Sequence, residues 1–278
     1  MATRAELSRA FYQAYEPVHS AIYFVHAAQD AYADVGLKPG WMGYFASRSA
    51  PMGRVGAEVV AATFYSFAPG LVARSIPLAW EVATPEQVTE ARLTAVGAMM
   101  ATALTDEDSS GLQRLCSALE SVATTLPIAG HPLFGGHLSV KLVDDPAVRL
   151  WQILTLFREH RGDTHMALLA GNNLNSMEAN IVHHLDGRSS KEFLTRSRGY
   201  REEDWAAGVA DLAARGLATA DGTALTAAGV NLKARIEAAT DELSAHAVDA
   251  LGQGGLHEVM RELGAISDAV RNAHPLPI

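Results

Sequence analysis

The 278-residue sequence has little cysteine and few aromatic side chains, with one Cys and 7% Phe, Trp and Tyr together. A single thiol excludes an intrachain disulfide and a metal site built from several cysteines. Cys116 lies among leucines at helical spacing, Leu112, Leu115 and Leu119. We therefore expect a buried, unreactive thiol in a helical core and not a nucleophile.

Long hydrophobic runs are also missing. No apolar stretch approaches the roughly 18 residues typical of a membrane span, and the N-terminus has acids and no continuous apolar core, so no signal peptide is predicted. A phosphate-cradling glycine motif, a dinucleotide fingerprint and a Gly-x-Ser-x-Gly elbow are absent, so no motif indicates a cofactor and its identity stays unknown. We expect a cytoplasmic protein without a membrane partner.

The segment from Gly199 to Gly229 has the layout of a winged helix-turn-helix. Apolar residues at near-helical spacing allow one side of a helix to be buried: Trp205, Val209, Leu212 and Leu217. Gly216 follows where a left-handed cap would end that helix. Asp221-Gly222 is a strong two-residue hairpin signal, and Thr226 opens a second helix. The order helix, hairpin wing, long helix is that of winged helices.

These features resemble the second half of a MarR-type regulator over residues 189–270. The sequence ARGL ends the predicted recognition helix, LTAAG follows the wing at Leu225–Gly229, and long paired helices come after it. The resemblance implies a helical fold, a homodimer, DNA binding through the recognition helix and wing, and small ligands between helical regions.

The surface that would read DNA argues against that partner. The first helical turn carries Glu202, Glu203 and Asp204, which repel phosphates, and the wing Ala218–Thr223 contains no Arg or Lys. The formal net charge of the whole chain is −9. A local basic run precedes the helix, and we interpret it mainly as a solvated face balanced by neighbouring acids: Arg188, Lys191, Arg196, Arg198 and Arg201. DNA binding is therefore disfavoured.

An internal repeat divides the chain into halves. The segments beginning at Gly111 and Gly255 share a Gly-Leu start and a terminal His-Pro, at an offset of about 143 residues. This length holds two domains of about 140 residues each. We predict a mainly α protein of two fused MarR-like winged-helix repeats, a degenerate one at 1–140 and a complete one at 141–278. The result would be a single-chain pseudo-dimer with a small β-hairpin wing, and Gly53–Pro77 would be the first repeat's degenerate, buried helix-turn-helix.

The segment from Phe157 to Gly171 contains a cluster of four polar residues that pair on helical faces. His160 and Asp163 share a helical face at i,i+3, and Arg161 and His165 share one at i,i+4. This cluster would bind a metal, position an anionic substrate through Arg161, or use His165 with Asp163 as an acid–base pair. The alternative is a helix end where these groups cap and pair.

A second cluster combines Glu178 with two adjacent histidines, His183 and His184. Adjacent side chains point about 100° apart on a helix, so at most one histidine faces a cavity. The spacing lacks a zinc signature, and a metal held by His160, His165 and His183 would have to be assembled across helices. A structural histidine is the alternative.

The third cluster is Lys38–Arg54, rich in glycine, proline and aromatics. We predict a loop here in which Trp41, Tyr44 and Arg48 form a binding rim, or a rigid connector whose aromatics fill the core. His26 stands seven residues after His19 and therefore shares its helical face.

These clusters predict a protein that takes a small-molecule ligand or substrate in a cavity between the repeats. We interpret it as an enzyme, because ionisable residues gather where an apolar binder would not need them. The predicted catalytic residues are His165, Asp163, His160 and Glu178. The predicted substrate contacts are Arg161, Tyr44, Arg48, Trp41, His183 and His26. The alternatives are a ligand-responsive transcription regulator and a non-catalytic sequestering protein.

Overall fold

A computed structural model of the chain describes residues 2–104 and 109–275. Helices make up most of it, as predicted, and two 3-10 turns at Ala21–Tyr23 and Ala50–Met52 extend α1 and α3. The α-helices in chain order are α1 (Arg4–Ser20), α2 (His26–Asp34), α3 (Trp41–Ser49), α4 (Ala57–Phe64), α5 (Pro69–Ala73), α6 (Leu78–Val82), α7 (Pro85–Ala103), α8 (Ser109–Ala123), α9 (Pro132–Leu138), α10 (Pro146–Gly171), α11 (Ser176–Leu185), α12 (Lys191–Arg198), α13 (Glu202–Ala214), α14 (Ala227–Leu243) and α15 (His246–Ala273).

Helix α10 runs through the centre of the protein. Asp145 begins it, because its carboxylate accepts hydrogen bonds from the backbone N–H groups of Ala147 and Val148 at 3.0 and 2.9 Å. Every residue from Leu150 to Phe157 is buried, so the helix is covered on all sides. Helices α1, α7, α8, α9 and α14 pack around it. Polar side chains in the middle of α10 are therefore desolvated and need partners inside the protein.

Packing between the two halves of the chain is reciprocal. Helix α1 lies along α15 and against α14, while α10 lies along α8 and against α7. The two first helices, α1 and α10, also contact each other. The larger hydrophobic core is shared between the halves, with Phe45 from the first half and Trp151 and Leu263 from the second. Each half completes its core with helices of the other.

Helices α12 and α13 form a helix-turn-helix whose turn spans residues 199–201. The turn requires glycine, because Gly199 has φ 77° and a Cβ there would lie 2.8 Å from the Cβ of Leu71 in α5. Trp205 and Leu212 of α13 are buried in a second, smaller hydrophobic core shared with α11 and α12. The helix-turn-helix therefore rests on its own core and touches the first half through α5.

The predicted hairpin wing is reduced to one pair of residues. Ala218 and Leu225 form an isolated antiparallel bridge, and residues 2–104 and 109–275 contain no β-strand. Gly222 has φ 68°, as the predicted turn requires, and the Thr226 side chain accepts from the Gly229 N–H at 3.2 Å to begin α14. The turn and cap were predictable, but the flanking segments are too short to form a ladder.

The prediction of a loop at Lys38–Arg54 is wrong, because α3 and a 3-10 turn occupy most of it. Its glycines and prolines lie mainly at the ends of these elements. Gly43 lies inside α3 and permits close packing, since a Cβ there would approach the Tyr32 ring to 2.6 Å. Glycine at this position is a packing residue and not a helix breaker.

Helix α4 lies within the segment predicted as the first repeat's degenerate helix-turn-helix. It buries Val60 and Phe64, but Val59 is exposed, so the expected burial holds for one face only. The helix ends at Phe64, and Pro69 begins α5. Tyr65 and Ser66, which come directly after α4, bond to the second half through Leu174 O and Asn180 Nδ2. This segment is therefore part of the contact between halves.

The cysteine and the hydropathy of the helices agree with the sequence. Cys116 is buried, as expected, with its thiol 3.4 Å from the Pro146 carbonyl, and burial raises its pKa to about 11, which disfavours the reactive thiolate. Among the described residues, no helix combines the length and apolar character needed to cross a membrane.

Candidate functional site

A group of charged side chains lies in the core where α3 and α7 meet α10. Glu159 of α10 is fully buried, and both of its carboxylate oxygens accept from Arg48 of α3, at 3.0 and 2.9 Å. Arg158 donates to the same carboxylate at 2.7 Å. Together with Arg92 of α7, these residues form what we call the buried charged layer. A bidentate pair of this kind fixes both side chains.

Electrostatics keep this pair ionised. Burial favours the neutral form of Glu159, but Arg158 and Arg48 outweigh it and hold the pKa of the carboxyl well below its usual range. Burial likewise opposes the charge on Arg48, but Glu159 raises the pKa of the guanidinium. Each charge in the pair therefore depends on the other.

Three predicted substrate contacts, Arg48, Tyr44 and Trp41, come together beside this layer. Arg48 Nη1 donates to the Tyr44 hydroxyl at 3.2 Å, and the Arg48 guanidinium lies 4.3 Å from the centre of the Phe64 ring. Trp41 packs edge-on against Tyr44, with ring centres 5.6 Å apart. The aromatic groups form a wall around the arginine, inside the protein and not at a loop rim.

Arg92 is the member of the layer without a carboxylate partner. It is 2% exposed, and its Nη1 and Nη2 donate to the Ser47 carbonyl at 2.9 Å and the Tyr23 hydroxyl at 3.2 Å. Its guanidinium also lies 5.0 Å from the centre of the Trp151 ring. In the described part of the chain no Asp or Glu forms an ion pair with it, and its Nε has no hydrogen-bond partner.

Arg92 lines a narrow opening, the α7–α10 cleft, between the two halves. Its polar lining residues are Ser47, Thr89, Arg92, His137, Gln152 and Thr155. The free space is about 20 Å³, room for one or two water-sized groups. His137 also leaves its buried Nε2 without a partner among the described residues. Burial lowers the pKa of His137 to about 3, so its imidazole is neutral at pH 7.

The predicted polar cluster of α10 does not converge on one point. Asp163 accepts from the backbone N–H groups of Leu133 and Phe134, both at 3.0 Å, and thereby caps α9; burial raises its pKa to about 6. His165 Nδ1 lies 3.0 Å from the Thr240 hydroxyl. Among the described residues these two side chains share no hydrogen bond, so the proposed acid–base pair is not assembled in this structure.

The other members of the cluster bind elsewhere. Arg161 forms an ion pair with Asp241 at 2.7 Å. His160 stacks on His131, with ring centres 3.9 Å apart, and meets His246 edge-on at 5.3 Å. Burial, with the two neighbouring histidines, lowers the pKa of His160 to about 3. Four neighbouring residues of one helix thus serve separate contacts with α9, α14 and α15.

The remaining predicted residues lie apart from the α7–α10 cleft. Glu178 accepts from the Asn175 backbone N–H at 2.8 Å and pairs with Arg215 at 2.8 Å, which fixes the start of α11. His183 and His26 are exposed. The described residues hold no group of three or more His, Cys, Asp or Glu side chains arranged for a metal ion, so His160, His165 and His183 do not form one.

Three residues of the buried charged layer were missed at the sequence level, Arg92, Arg158 and Glu159. Arg92 carried a signal, because its neighbours one turn away, Val88 and Val96, are apolar and buried, which places a cation on the buried face of α7. The signal for Glu159 was weaker. Apolar residues lie on every side of α10, so hydrophobic periodicity does not identify the face that Glu159 occupies. Ionisable residues on apolar faces were the signal to follow.

The surface of α13 has the character that its sequence predicts. Glu202, Glu203 and Asp211 are exposed along with small alanines. Much of the preceding basic run is paired locally: Arg188 with Asp186 at 2.9 Å, Lys191 with Glu202 at 2.6 Å, and Arg201 with Asp204 at 3.2 Å. A phosphate would have to displace these acids from their partners.

The fold and these surfaces define a helical helix-turn-helix protein with a buried charged layer between its halves. A sequence model of the Helix-turn-helix family matches residues 8–277, and the chain belongs to this family. No curated protein and no solved structure matches the chain.

Proposed function

We propose that the protein binds a small molecule in the α7–α10 cleft and that this binding, without base-specific DNA recognition, is its principal activity. The observation that carries the proposal is the buried Arg92, which lines a cleft between the halves and lacks a carboxylate partner in the described chain. Burying a guanidinium is costly unless it is paired, so such a group is retained where a ligand completes its contacts.

Rigid surroundings support a binding role. The bidentate Arg48–Glu159 pair and the stacked rings of His19 and Trp151, with centres 5.3 Å apart, hold the walls on either side of Arg92. His19 also bonds to Thr155 at 3.1 Å, and Thr155 lines the cleft. Fixed side chains lose little conformational freedom when a ligand binds, which favours affinity.

We favour binding without turnover over an enzyme. Acid–base chemistry needs a titrating group within hydrogen-bond reach of the reacting atom. The predicted pair His165 and Asp163 is engaged with Thr240 and with α9, away from the cleft. His137, which lines the cleft, is neutral at pH 7 and offers hydrogen bonding.

We also propose that the scaffold arose by duplication of a MarR-like winged-helix unit, with 1–140 and 141–278 as the repeats. The reciprocal packing supports this, since α1 on α15 and α10 on α8 are equivalent pairs if α1 corresponds to α10 and α8 to α15. Such an arrangement corresponds to a dimer closed within one chain. The cleft would then lie at the former subunit interface.

A ligand-responsive transcription regulator is the second candidate, supported by family membership and by the α12–α13 geometry. Its test is fluorescence anisotropy with a labelled duplex at about 50 mM salt, where a regulator binds and loses affinity steeply as salt rises. The acidic exposed face of α13 predicts no binding.

Thermal denaturation against a panel of neutral, anionic and cationic metabolites tests the proposed function. We expect at least one compound to raise the Tm of the native protein by mass action. Leu93→Trp, which fills the cleft, should abolish the shift, whereas Leu243→Trp, at an exposed position of α14, should retain it. A panel without any stabilising compound, or equal shifts in both variants, would contradict the proposal.

A further inference from the structure

The guanidinium of Arg92 at the α7–α10 cleft has no carboxylate partner among the described residues. The other two guanidinium groups that act electrostatically on His137, those of Arg48 and Arg158, share the carboxylate of Glu159. Glu16 adds a second carboxylate near Arg158, 3.9 Å from its Nε. Arg48 and Arg158 therefore have carboxylate partners, whereas the charge on Arg92, which is 2% exposed, has no ion-pair partner in the described chain. Uncompensated charge at low dielectric is costly, so a monoanion is the ligand that restores neutrality.

Hydrogen bonding points to the same place. A guanidinium carries five N–H donors, and Arg92 uses two of them, on Ser47 and Tyr23. The buried Nε of Arg92 and the buried Nε2 of His137 have no partner among the described residues, and both side chains line the cleft. Nε and Nη2 lie on the same edge of a guanidinium, the edge that carboxylates bind.

We propose that the α7–α10 cleft is a site for a small monocarboxylate, whose oxygens accept from Arg92 Nε and from His137 Nε2. This inference rests on the proposed function and specifies its ligand. The Ser47 carbonyl and the Tyr23 hydroxyl hold the guanidinium in place, so it is oriented before the ligand arrives. His137 donates in its Nε2–H tautomer.

The shape of the cleft limits the size of the group attached to the carboxylate. About 20 Å³ of free space accommodates a carboxylate head but not a whole metabolite. The remaining lining residues that are partly exposed are apolar: Pro51, Leu93, Val140 and Leu142. A short hydrocarbon tail directed between them would bury apolar surface on the way to solvent. The favoured ligand is therefore a short-chain carboxylate and not a polyanion.

Isothermal titration with matched charged and neutral probes tests this site. Sodium formate, acetate and butyrate are compared with formamide, acetamide and butyramide at constant ionic strength. We expect saturable binding of the carboxylates, tightest for butyrate, and at least ten-fold weaker binding of each amide. Inorganic phosphate, tested in parallel, should bind more weakly than butyrate, because only one positive charge, that of Arg92, lacks an anionic partner and the second negative charge of phosphate would not be compensated.

Variants assign the site within the protein. Arg92→Met should weaken butyrate binding at least ten-fold, and Arg196→Met, on an exposed part of α12, should leave it unchanged. His137→Phe keeps the ring and removes the nitrogen donor, and we expect a smaller loss, about three-fold or more. If Arg92→Met fails to fold, Arg92→Lys and His137→Phe carry the test, because Lys retains the charge but lacks the Nε donor.

The outcomes separate this inference from the proposed function. If the amides bind as tightly as the carboxylates, and Leu93→Trp abolishes that binding, the cleft binds small molecules but is not an anion site. That result would overturn the carboxylate proposal and leave the proposed function in place. Phosphate binding more tightly than butyrate would overturn the monocarboxylate. Butyrate binding that survives both Arg92→Lys and His137→Phe would place any carboxylate site elsewhere. If no probe binds and the metabolite panel gives no shift, both proposals fail.

Discussion

In the buried charged layer the fully buried Glu159 faces Arg48 and Arg158, whereas at α13 Glu202 and Glu203 face Lys191 and Arg201 at the surface. The chemical groups are the same, but their energetic roles differ. Exposed pairs contribute about 0–1 kcal/mol because water and salt screen them. A buried pair costs several kcal/mol if one partner is removed. Removing one charge should therefore cost more in the interior than on the surface of α13.

The helix-turn-helix and the buried charged layer also differ in where they lie in the fold. The helix-turn-helix has its turn, its helix caps and a hydrophobic core. Its exposed helix, α13, nevertheless carries acidic side chains on its surface. The buried charged layer lies away from that exposed helix and contains the unpartnered Arg92. The unpartnered buried cation and the helix-turn-helix therefore occupy different parts of this molecule.

The largest effect should come from Glu159→Gln. The substitution leaves Arg48 and Arg158 without their shared anion, so the free energy of unfolding should fall by about 3–5 kcal/mol. Urea denaturation followed by far-UV circular dichroism measures it. Glu120→Gln, which breaks the half-exposed pair with Arg149, is the control and should cost about 0–1 kcal/mol. If the free energy of unfolding falls equally in the two variants, the buried pair contributes no more to stability than the exposed pair, and the prediction is wrong.

A second prediction concerns the pH dependence of Asp163. Burial raises its folded-state pKa from 3.8 to about 6, so the folded protein binds the proton more tightly than the unfolded chain does. This contribution is fully present below about pH 4 and is lost as pH rises through about 6. At about 1.4 kcal/mol per pKa unit it amounts to about 3 kcal/mol.

Asp163→Asn mimics the protonated carboxyl and should flatten the fall in stability between pH 4 and 6, measured by urea denaturation at several pH values. The amide oxygen of the substituted side chain can still accept from the α9 backbone. Asp221→Asn is the matched control: hydrogen bonds with Thr219 and Thr223 lower the pKa of Asp221, so its titration lies below this range. An unchanged profile in Asp163→Asn would mean that another group titrates there.

Much of the fold was predictable because its local signals agree. The spacing of Trp205 and Leu212, the left-handed Gly216 and the Thr226 cap all gave the correct elements. Lys38–Arg54 was misjudged as a loop because glycine was taken as a breaker, whereas Gly43 makes room for Tyr32 between two helices. Only the tertiary neighbour reveals that role.

The candidate site was harder to predict than the fold. Tyr44 and Arg48 were selected by composition and do lie together, but Glu159, the group that fixes Arg48, was not. Because Arg48 and Glu159 are 111 residues apart in the sequence, no local spacing pattern predicts that they pair. His160, Asp163 and His165 were grouped because they are near in sequence, yet a helix buried on all sides sends neighbouring side chains to different elements.

A third prediction asks how firmly the helix-turn-helix is held to the first half. Gly199→Ala should destabilise the protein by about 1–3 kcal/mol, since alanine is strained at φ 77° and its Cβ would collide with Leu71. Gly216→Ala, at φ 68° with no atom near its Cβ position, incurs the backbone strain alone. Thermal denaturation of both variants isolates the contact, and the double variant Gly199→Ala, Leu71→Gly, which removes the Leu71 Cβ, should lose less than additivity predicts. Equal destabilisation by the two glycine substitutions would show that the Leu71 contact is immaterial.

The smallest effect on stability should come from reversing the charge of α13. Glu202→Lys, Glu203→Lys and Asp211→Lys together should change the free energy of unfolding by only about 0.5 kcal/mol each or less, because the positions are exposed. Their effect on partner choice should be larger. The native protein should not bind a 20-base-pair duplex at about 50 mM salt, whereas the triple variant should bind it weakly without sequence preference.

A second triple variant makes that last experiment decisive. Asp30→Lys, Glu258→Lys and Asp268→Lys change the net charge equally but lie on α2 and α15, where exposed acids have no part in the helix-turn-helix. DNA binding by the α13 variant alone would mean that the geometry of a reading head persists and that its acids prevent contact. Equal binding by both variants would reflect net charge only. Tight, salt-sensitive binding by the native protein would reverse the comparison and place function on α13 after all.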